Sequence, residues 1–271
     1  MQKDYVINSE SLSSMHCQLS QAELLFILRA LNLPDLPGIG ERPWGEVELE
    51  EAKQQFRTAG LALKARGWIW LDENSGQPSV EPSLQAIVST CAYPNQMMAL
   101  IYNIIPSAPV EAYYYHRGEL TVRHTWTEVL MHDFQSTNDS DMGKAMLTAL
   151  FENYFWTFES PISEIPFDVY EQVTKLTFID PEKARRYLMG AGVAPDICAL
   201  FINGVHDHKV QIQAQWVYQF TPRILQNSLV FFIGPSSCWL VEKVFDRKIM
   251  RIKAVNSDSL HQLFQAAFGG F

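Results

Sequence analysis

The segment His206-Asp207-His208 carries residue types that bind transition metals. Two imidazoles separated by one residue can ligate a single zinc ion, which takes three or four protein ligands. The sequence offers no assignable third or fourth ligand for such an ion. Because Asn203 and Gly204 just before it are turn-forming residues, the segment predicts a polar turn leading into a strand, not a metal site.

Three further histidines, His116, His124 and His132, are spaced by eight residues. In a twisted antiparallel sheet this spacing predicts that the three side chains lie in different places. His124 alternates with Val122 and Trp126, which predicts that it is buried on the core face of a strand.

Sequence motifs for nucleophilic catalysis and phosphate binding are missing. There is no G-x-S-x-G elbow, Walker A loop or G-x-G-x-x-G motif, and Ser237 with Cys238 falls in a predicted hairpin turn without an assignable base. The cysteines are far apart, which predicts free thiols in a reducing compartment; they are Cys17, Cys91, Cys198 and Cys238. We therefore expect no enzyme activity, no cofactor and no metal.

Alternating glutamines provide the best candidate for a binding surface. Gln211, Gln213 and Gln215 alternate with apolar residues and so share one face of a predicted strand. Together with Arg123 and Thr125 they predict an open sheet face that is polar but nearly uncharged. Such a face suits the docking of a partner helix or strand, although a solvated antiparallel sheet has the same composition.

The overall composition is that of an acidic globular protein. Its 271 residues are 47% hydrophobic and 19% charged, with a formal net charge of −9. A negative charge disfavours binding to nucleic acid and to anionic lipid. The sequence has no apolar run of about 18 residues and no signal-peptide pattern at its start, which predicts a cytoplasmic protein without membrane insertion.

A transcriptional regulator is the alternative function that the sequence leaves open. Two helices followed by Arg66-Gly67-Trp68-Ile69-Trp70 and a turn resemble a winged helix. The candidate recognition helix mixes acidic with basic residues, and a further basic cluster near the C-terminus is spread over both faces of a strand. The acidic residues are Glu46, Glu48, Glu50 and Glu51, and the C-terminal cluster is Arg247, Lys248, Arg251 and Lys253.

Hydrophobic periodicity and turn residues predict alternating blocks of helices and strands. The N-terminal block has helices at 21–32 and 47–66, a strand at Trp68–Leu71, a helix starting at Pro82, strands at Met97–Ile105, Val110–His116 and Glu119–Phe134, and a helix at 141–155. The C-terminal block has helices at 168–176, 180–190 and 195–203, strands at 208–219, 227–233, 238–245 and 247–255, and a last helix at 257–268.

The two blocks resemble each other in sequence as well as in element order. Pro82–Ile87 matches Pro195–Leu200, and Ser140-Asp141 matches Ser257-Asp258 at the start of each final helix. The predicted fold is α+β with a pseudo-two-fold internal duplication and a central, largely antiparallel sheet flanked by helical bundles. The halves are predicted at 1–160 and 161–271, sharing one sheet in a single compact domain.

Several segments are similar to the EspG family of type VII (ESX) secretion-associated proteins. These are Leu19–Leu25 followed by a Leu-Pro segment, the helix ending Ala65-Arg66-Gly67, and Val80–Leu84. The resemblance implies a cytosolic chaperone that binds the helical tip of a secretion substrate through the sheet and a neighbouring helical bundle, without cofactor or catalysis. We therefore expect a protein-binding adaptor with a helical secreted partner and no nucleic-acid ligand.

Overall fold

The computed structural model describes residues 15–36, 48–72, 76, 78–128, 131–137, 154–218, 225–244 and 246–268. The fold is α+β, as predicted, with a large antiparallel sheet of ten strands and, among the described residues, seven helices. The chain forms two compact units, Met1–Met97 with Ala112–Gly143, and Met98–Glu111 with Lys144–Phe271. The predicted boundary between the halves at residue 160 stays a prediction.

In its described residues, the first unit has three helices and a sheet segment with the strand order β1-β7-β6-β5. A separate hairpin, β2–β3, follows the second helix. The element bounds are β1 (Met15–Ser20), α1 (Gln21–Ala30), α2 (Leu49–Ala65), β2 (Ile69–Leu71), β3 (Pro78–Val80), α3 (Pro82–Ala92), β4 (Gln96–Ile104), most of which belongs to the second unit, β5 (Val110–Arg117), β6 (Leu120–Glu128) and β7 (Met131–Thr137).

The second unit has the strand order β4-β9-β10-β11-β12-β8. Like the first unit, it begins with a short strand and three helices that precede the longer strands, but the first unit has the β2–β3 hairpin between its second and third helices. Their bounds are β8 (Ser163–Pro166), α4 (Phe167–Thr177), α5 (Pro181–Gly190), α6 (Pro195–His206), β9 (Val210–Tyr218), β10 (Leu225–Ile233), β11 (Cys238–Val244), β12 (Ile249–Val255) and α7 (Ser257–Phe268).

The start of α1 shows how the sequence fixes a helix boundary. Ser20 Oγ accepts a hydrogen bond from Glu23 N at 3.3 Å, and the Glu23 carboxylate accepts one from Ser20 N at 2.8 Å. This reciprocal pair is a capping box, which satisfies two N–H groups that the helix itself cannot. The prediction of Ser20 as the N-cap is confirmed.

The core of the first unit lies between the helices and one face of the strands. Leu19, Tyr115, Val122 and Phe134 share that strand face and pack with α1 and α3. The helices contribute fully buried leucine, isoleucine and valine side chains, among them Leu24, Leu28, Leu84, Ile87 and Val88. Each such side chain contributes roughly 1.5–3 kcal/mol through removal from water.

The second unit packs α4, α5 and α6 on β8 and β10–β12 in the same manner. Phe201 of α6 meets the fully buried Trp239 of β11 edge to face, with ring centroids 5.1 Å apart. Gly204, one turn later, lets the indole approach the helix backbone, because a Cβ there would lie 2.3 Å from the Trp239 ring.

Two predictions about elements need correction, and one lies outside the described residues. The single strand predicted at Glu119–Phe134 is two antiparallel strands, β6 and β7, with a register shift between Trp126 and Glu128. Three short strands, β1, β3 and β8, were not predicted. Residues 141–153 of the predicted helix at 141–155 lie outside the described residues, and its last two residues, Tyr154 and Phe155, are not helical.

Among the helices that the structure describes, none is both long and apolar enough to span a bilayer.

Candidate partner-binding surface

Arg123 and Thr125 lie on β6, on the strand face opposite the core of the first unit. Thr125 stands between Ala112 of β5 and Asp133 of β7. Only 7% of Thr125 is exposed, and Arg123 is half-buried. The expectation of an open face therefore does not hold at Thr125, because its strand neighbours on both sides are buried as well. The role of Arg123 and Thr125 in binding a partner stays a prediction.

A polar cluster adjoins Thr125 on the same face. The buried Asp133 carboxylate lies 2.7 Å from the Nε2 of His16 and accepts a hydrogen bond from the Gln18 amide at 3.0 Å. These bonds join β1 to β7 across a sequence separation of more than one hundred residues. The cluster therefore has a structural use in holding β1 in the sheet.

The glutamine row of β9 lies on a different kind of face. Gln211 and Gln213 pair with Phe232 and Val230 of β10, and directly paired residues point to the same side of a sheet. Phe232 belongs to the core beneath the helices, and Val230 packs against it. Gln213 is exposed and Gln211 half-buried, whereas the side chain of Gln215 lies outside the described residues. The glutamines thus lie on the same side of the sheet as the helices, at a place where the side chain of Gln213 is not covered.

An exposed apolar turn is linked to this row through a series of ring contacts. Phe178 and Ile179, between α4 and α5, are 58% and 80% exposed. The Phe178 ring lies 5.9 Å from the His206 ring and 6.3 Å from the His208 ring, and His208 in turn meets Phe232 at 5.3 Å. Ring contacts therefore connect the apolar turn with the strand that pairs with the glutamine row.

We name this set of residues the bundle-edge surface: Phe178, Ile179, His206, Gln211 and Gln213. Exposed aromatic and aliphatic groups beside neutral amides match the composition of protein interfaces, in which charged residues are depleted from the centre. The alternation of the glutamines was visible in the sequence. The contribution of Phe178 and Ile179 was not, since a short turn carries no periodic signal.

The His206-Asp207-His208 segment makes contacts that differ from those of a metal site. His206 Nδ1 lies 2.8 Å from the Asp207 carboxylate, and His208 Nδ1 lies 2.5 Å from the carbonyl oxygen of Val205. Within the described ranges, no three His, Cys, Asp or Glu side chains are placed to share an ion. The predicted turn is also wrong in part, because α6 continues through Asn203 and Gly204 to His206.

The four cysteines are free and buried. Burial raises the pKa of the Cys17 thiol to about 12 and that of the Cys238 thiol further. Burial also raises the pKa of Cys91 and Cys198. Since the thiolate is the nucleophile, these thiols are unreactive at neutral pH.

A buried histidine pair in the first unit was not predicted. His124 is in the core, as expected, but its Nε2 lies 2.8 Å from the Nδ1 of His132. The prediction that these two histidines lie in different places is wrong, because β6 and β7 are antiparallel neighbours. Burial and the neighbouring His132 lower the pKa of His124 to about 3, and burial lowers the pKa of His132 to about 4.

Ion pairs neutralise much of the basic charge considered for nucleic-acid binding. Arg247 and Arg251 both bind the Glu164 carboxylate at 2.9 Å. On α2, Lys53 pairs with Glu50 at 2.6 Å, and Arg66 at its C-terminal end pairs with Glu23. A cation paired with a carboxylate contributes less to phosphate binding.

The sequence matches no protein-family model and no curated protein. The fold is similar to that of EspG5, the type VII secretion system chaperone of Mycobacterium tuberculosis, solved in complex with the PE25–PPE41 dimer. The TM-score is 0.61 at 11% identity, over 94% of this chain and 95% of EspG5. HtdX of the same organism gives a TM-score of 0.16 at 10% identity, over 89% of this chain and 98% of HtdX, and supports no structural argument. The chain thus has an EspG-like fold.

Proposed function

We propose that this protein is a non-enzymatic cytoplasmic chaperone that binds the helical end of a protein destined for type VII secretion. The observation that carries the proposal is the likeness to EspG5 along 94% of the chain, since a partial match would leave the binding surfaces uncompared. The resemblance of the sequence to the EspG family supports the same partner class.

The bundle-edge surface is the proposed contact for the partner. The exposed Phe178 and Ile179 provide apolar contact for a hydrophobic helical tip. The amides of Gln211 and Gln213 donate and accept hydrogen bonds without the cost of burying a charge. Binding stabilises the soluble partner by mass action, in proportion to the logarithm of the chaperone concentration over the dissociation constant.

Co-expression of the tagged protein with small helical proteins encoded beside it tests the proposal. We expect one partner to become soluble and to copurify in a stoichiometric complex that survives nuclease treatment. If no neighbouring protein gains solubility, or if only nucleic acid is recovered, the chaperone function is wrong, and the second outcome favours the winged-helix alternative.

Two matched substitutions locate the contact. Ile179→Asp removes an apolar group that is 80% exposed, so the fold should tolerate it. It should weaken the complex at least tenfold if Ile179 lies in the centre of the interface, as truncation of central interface residues costs about 1–2 kcal/mol or more. Leu49→Asp at the start of α2, where the leucine is 68% exposed, serves as the control and should leave affinity unchanged. If Ile179→Asp and Leu49→Asp change the affinity equally, the partner does not bind at the bundle-edge surface.

A further inference from the structure

A groove of about 400 Å³ lies between α2 and the β2–β3 hairpin in the first unit. The α2 residues that line it have the i, i+3, i+4, i+7 spacing of a single helical face. They are Arg57, Gly60, Leu61 and Lys64. The hairpin provides the opposite wall through Trp70 and Leu71.

The walls of this groove are apolar and open to solvent. Leu61 is 69% exposed, Leu71 62% and Trp70 44%. Single exposed apolar residues are common on protein surfaces, but contiguous groups of large ones usually mark interaction sites. These three residues line one concave feature, which makes them a candidate site for an apolar ligand group.

The packing of the first unit fixes the floor of the groove. The Phe26 ring of α1 lies against Gly60, so close that a Cβ on Gly60 would be 2.7 Å from it. Phe26 also packs on Phe56 with ring centroids 4.8 Å apart. Because the floor is held by contacts within the protein itself, a bound group would not have to order it.

The rim carries two cations for which the described part of the chain provides no counter-ion. Arg57 and Lys64 are exposed, and neither forms an ion pair with any residue that the structure describes. Lys53 and Arg66, by contrast, pair with Glu50 and Glu23. The groove is therefore flanked by positive charge in a chain whose net charge is −9. The two cations are seven positions apart on α2, a distance of about 10.5 Å along the helix axis.

We propose that the groove binds an amphipathic helix of a partner protein, with apolar side chains in the groove and acidic residues seven positions apart on its flanks. Two acidic residues with that separation are also about 10.5 Å apart, so they match Arg57 and Lys64 in spacing and in charge. Apolar residues three and four positions after the first acidic residue face the wall formed by Leu61 and Trp70. This is the helix-in-groove mode of recognition. It uses a surface separate from the bundle-edge surface and does not depend on the proposed chaperone function.

A designed peptide provides the probe. It is a fluorescein-labelled, alanine-based helix with two glutamates seven residues apart and two leucines three and four residues after the first glutamate. A second peptide replaces both glutamates with lysines. In fluorescence anisotropy titrations at low salt, we expect saturable binding of the glutamate peptide and at least tenfold weaker binding of the lysine peptide. Added salt should weaken the first complex.

Charge reversal provides the decisive variant. The double substitution Arg57→Glu with Lys64→Glu should reverse the preference, so that the lysine peptide binds at least tenfold more tightly than the glutamate peptide. Trp70→Ala should weaken both complexes about tenfold. Arg186→Glu, an exposed reversal on α5 of the second unit, is the matched control and should change neither titration. Circular dichroism confirms that each variant is folded.

Three outcomes would overturn the proposal. In the first, the wild type binds both peptides with equal affinity and the charge-reversed variant does the same, because the groove would then bind any apolar surface. Another is absence of saturable binding with a folded wild-type protein. The third is a wild-type dimer in sedimentation equilibrium that Trp70→Ala dissociates, which would assign the groove to a second copy of this chain. Copurification of a secretion partner through the bundle-edge surface should persist in Trp70→Ala, so the two surfaces are tested independently.

Discussion

Acidification should destabilise the protein through the buried pair His124 and His132. Their facing ring nitrogens lie 2.8 Å apart, so the N–H of one imidazole donates a hydrogen bond to the lone pair of the other. The outer nitrogens, Nδ1 of His124 and Nε2 of His132, are buried without a hydrogen-bond partner among the described residues. A proton added to either ring would therefore place a positive charge in the core without an acceptor.

The direction of the effect follows from the pKa values. Burial lowers the pKa of His124 to about 3 and that of His132 to about 4, both below the ordinary value of 6.5. The folded protein keeps both rings neutral, whereas the unfolded chain binds two protons as the pH falls below about 6.5. The stability that the protein gains by keeping these two histidines neutral is therefore fully present above about pH 6.5. It is lost progressively as the pH falls towards their pKa values in the folded protein.

The magnitude is large enough to measure. Between about pH 7 and about pH 5, each histidine lowers the free energy of unfolding by ~2 kcal/mol, since one pKa unit corresponds to about 1.4 kcal/mol. The pair together costs ~4 kcal/mol, a substantial fraction of the roughly 5–15 kcal/mol that stabilises a typical domain. Carboxylates also titrate over part of this range, so the informative quantity is the difference between wild type and a variant without the pair.

Urea unfolding at the two pH values is the assay, followed by tryptophan fluorescence. The double variant His124→Phe with His132→Leu replaces both rings with apolar groups and leaves neither polar partner unpaired. We expect it to lose ~4 kcal/mol less than the wild type on acidification. His206→Gln, which changes an exposed histidine, is the control and should behave as the wild type. A double variant with the wild-type pH dependence would refute the reasoning.

Two further predictions concern packing and helix capping. Gly204→Ala should lower the free energy of unfolding by about 1–3 kcal/mol, because the new Cβ would meet the Trp239 ring. Gly190→Ala is the control: no atom lies within 4 Å of a Cβ added there, so the substitution should be neutral or stabilising by up to ~1 kcal/mol. Equal urea midpoints for these two variants would contradict the packing at Trp239. Ser20→Ala should lower the free energy of unfolding by about 1 kcal/mol, because the capping box with Glu23 is lost. If the midpoint of thermal unfolding does not change, the cap does not stabilise the protein.

Local signals explain why most helices could be predicted from the sequence. Ser20, Pro82 and Pro195 each stand at a helix start, where a side-chain acceptor or a fixed φ favours helix entry. The division of Glu119–Phe134 into β6 and β7 could not be predicted, because the residues between the strands are Val129 and Leu130. Neither is a turn former, so the sequence has no interruption where the chain reverses.

Strand β1 illustrates a second limit of local patterns. Cys17 and Leu19 alternate with polar residues, as in a strand with one buried face, but the alternation is only a few residues long. Its partner β7 lies far away in sequence, with Cys17 opposite Phe134. The strand exists because a distant neighbour pairs with it, and a single-sequence pattern contains no information about that neighbour.

The glutamine row shows which part of a binding surface a pattern can predict. Alternation correctly separated Gln211 and Gln213 from Ile212 and Ala214, which are fully buried. Period-two alternation assigns residues to two faces, but it does not say which face the helices cover. Only the pairing of Gln211 with Phe232 places the row on the helix-covered face, and only the ring contacts of Phe178 place an exposed apolar turn beside it.

The groove on α2 extends the same reasoning to charge. In the sequence, Lys53, Arg57, Lys64 and Arg66 are four equivalent cations among acidic residues, and a mixed-charge helix predicts an ordinary solvated surface. The structure makes them unequal, because two are neutralised by Glu50 and Glu23 while Arg57 and Lys64 remain at the rim of an apolar groove. What a helix can bind is therefore not determined by its net charge. It is determined by which of its cations lie beside apolar surface without being paired to a carboxylate. For that reason the charge-reversal experiment targets Arg57 and Lys64 alone, and reversal of the paired Lys53 should leave the peptide preference unchanged.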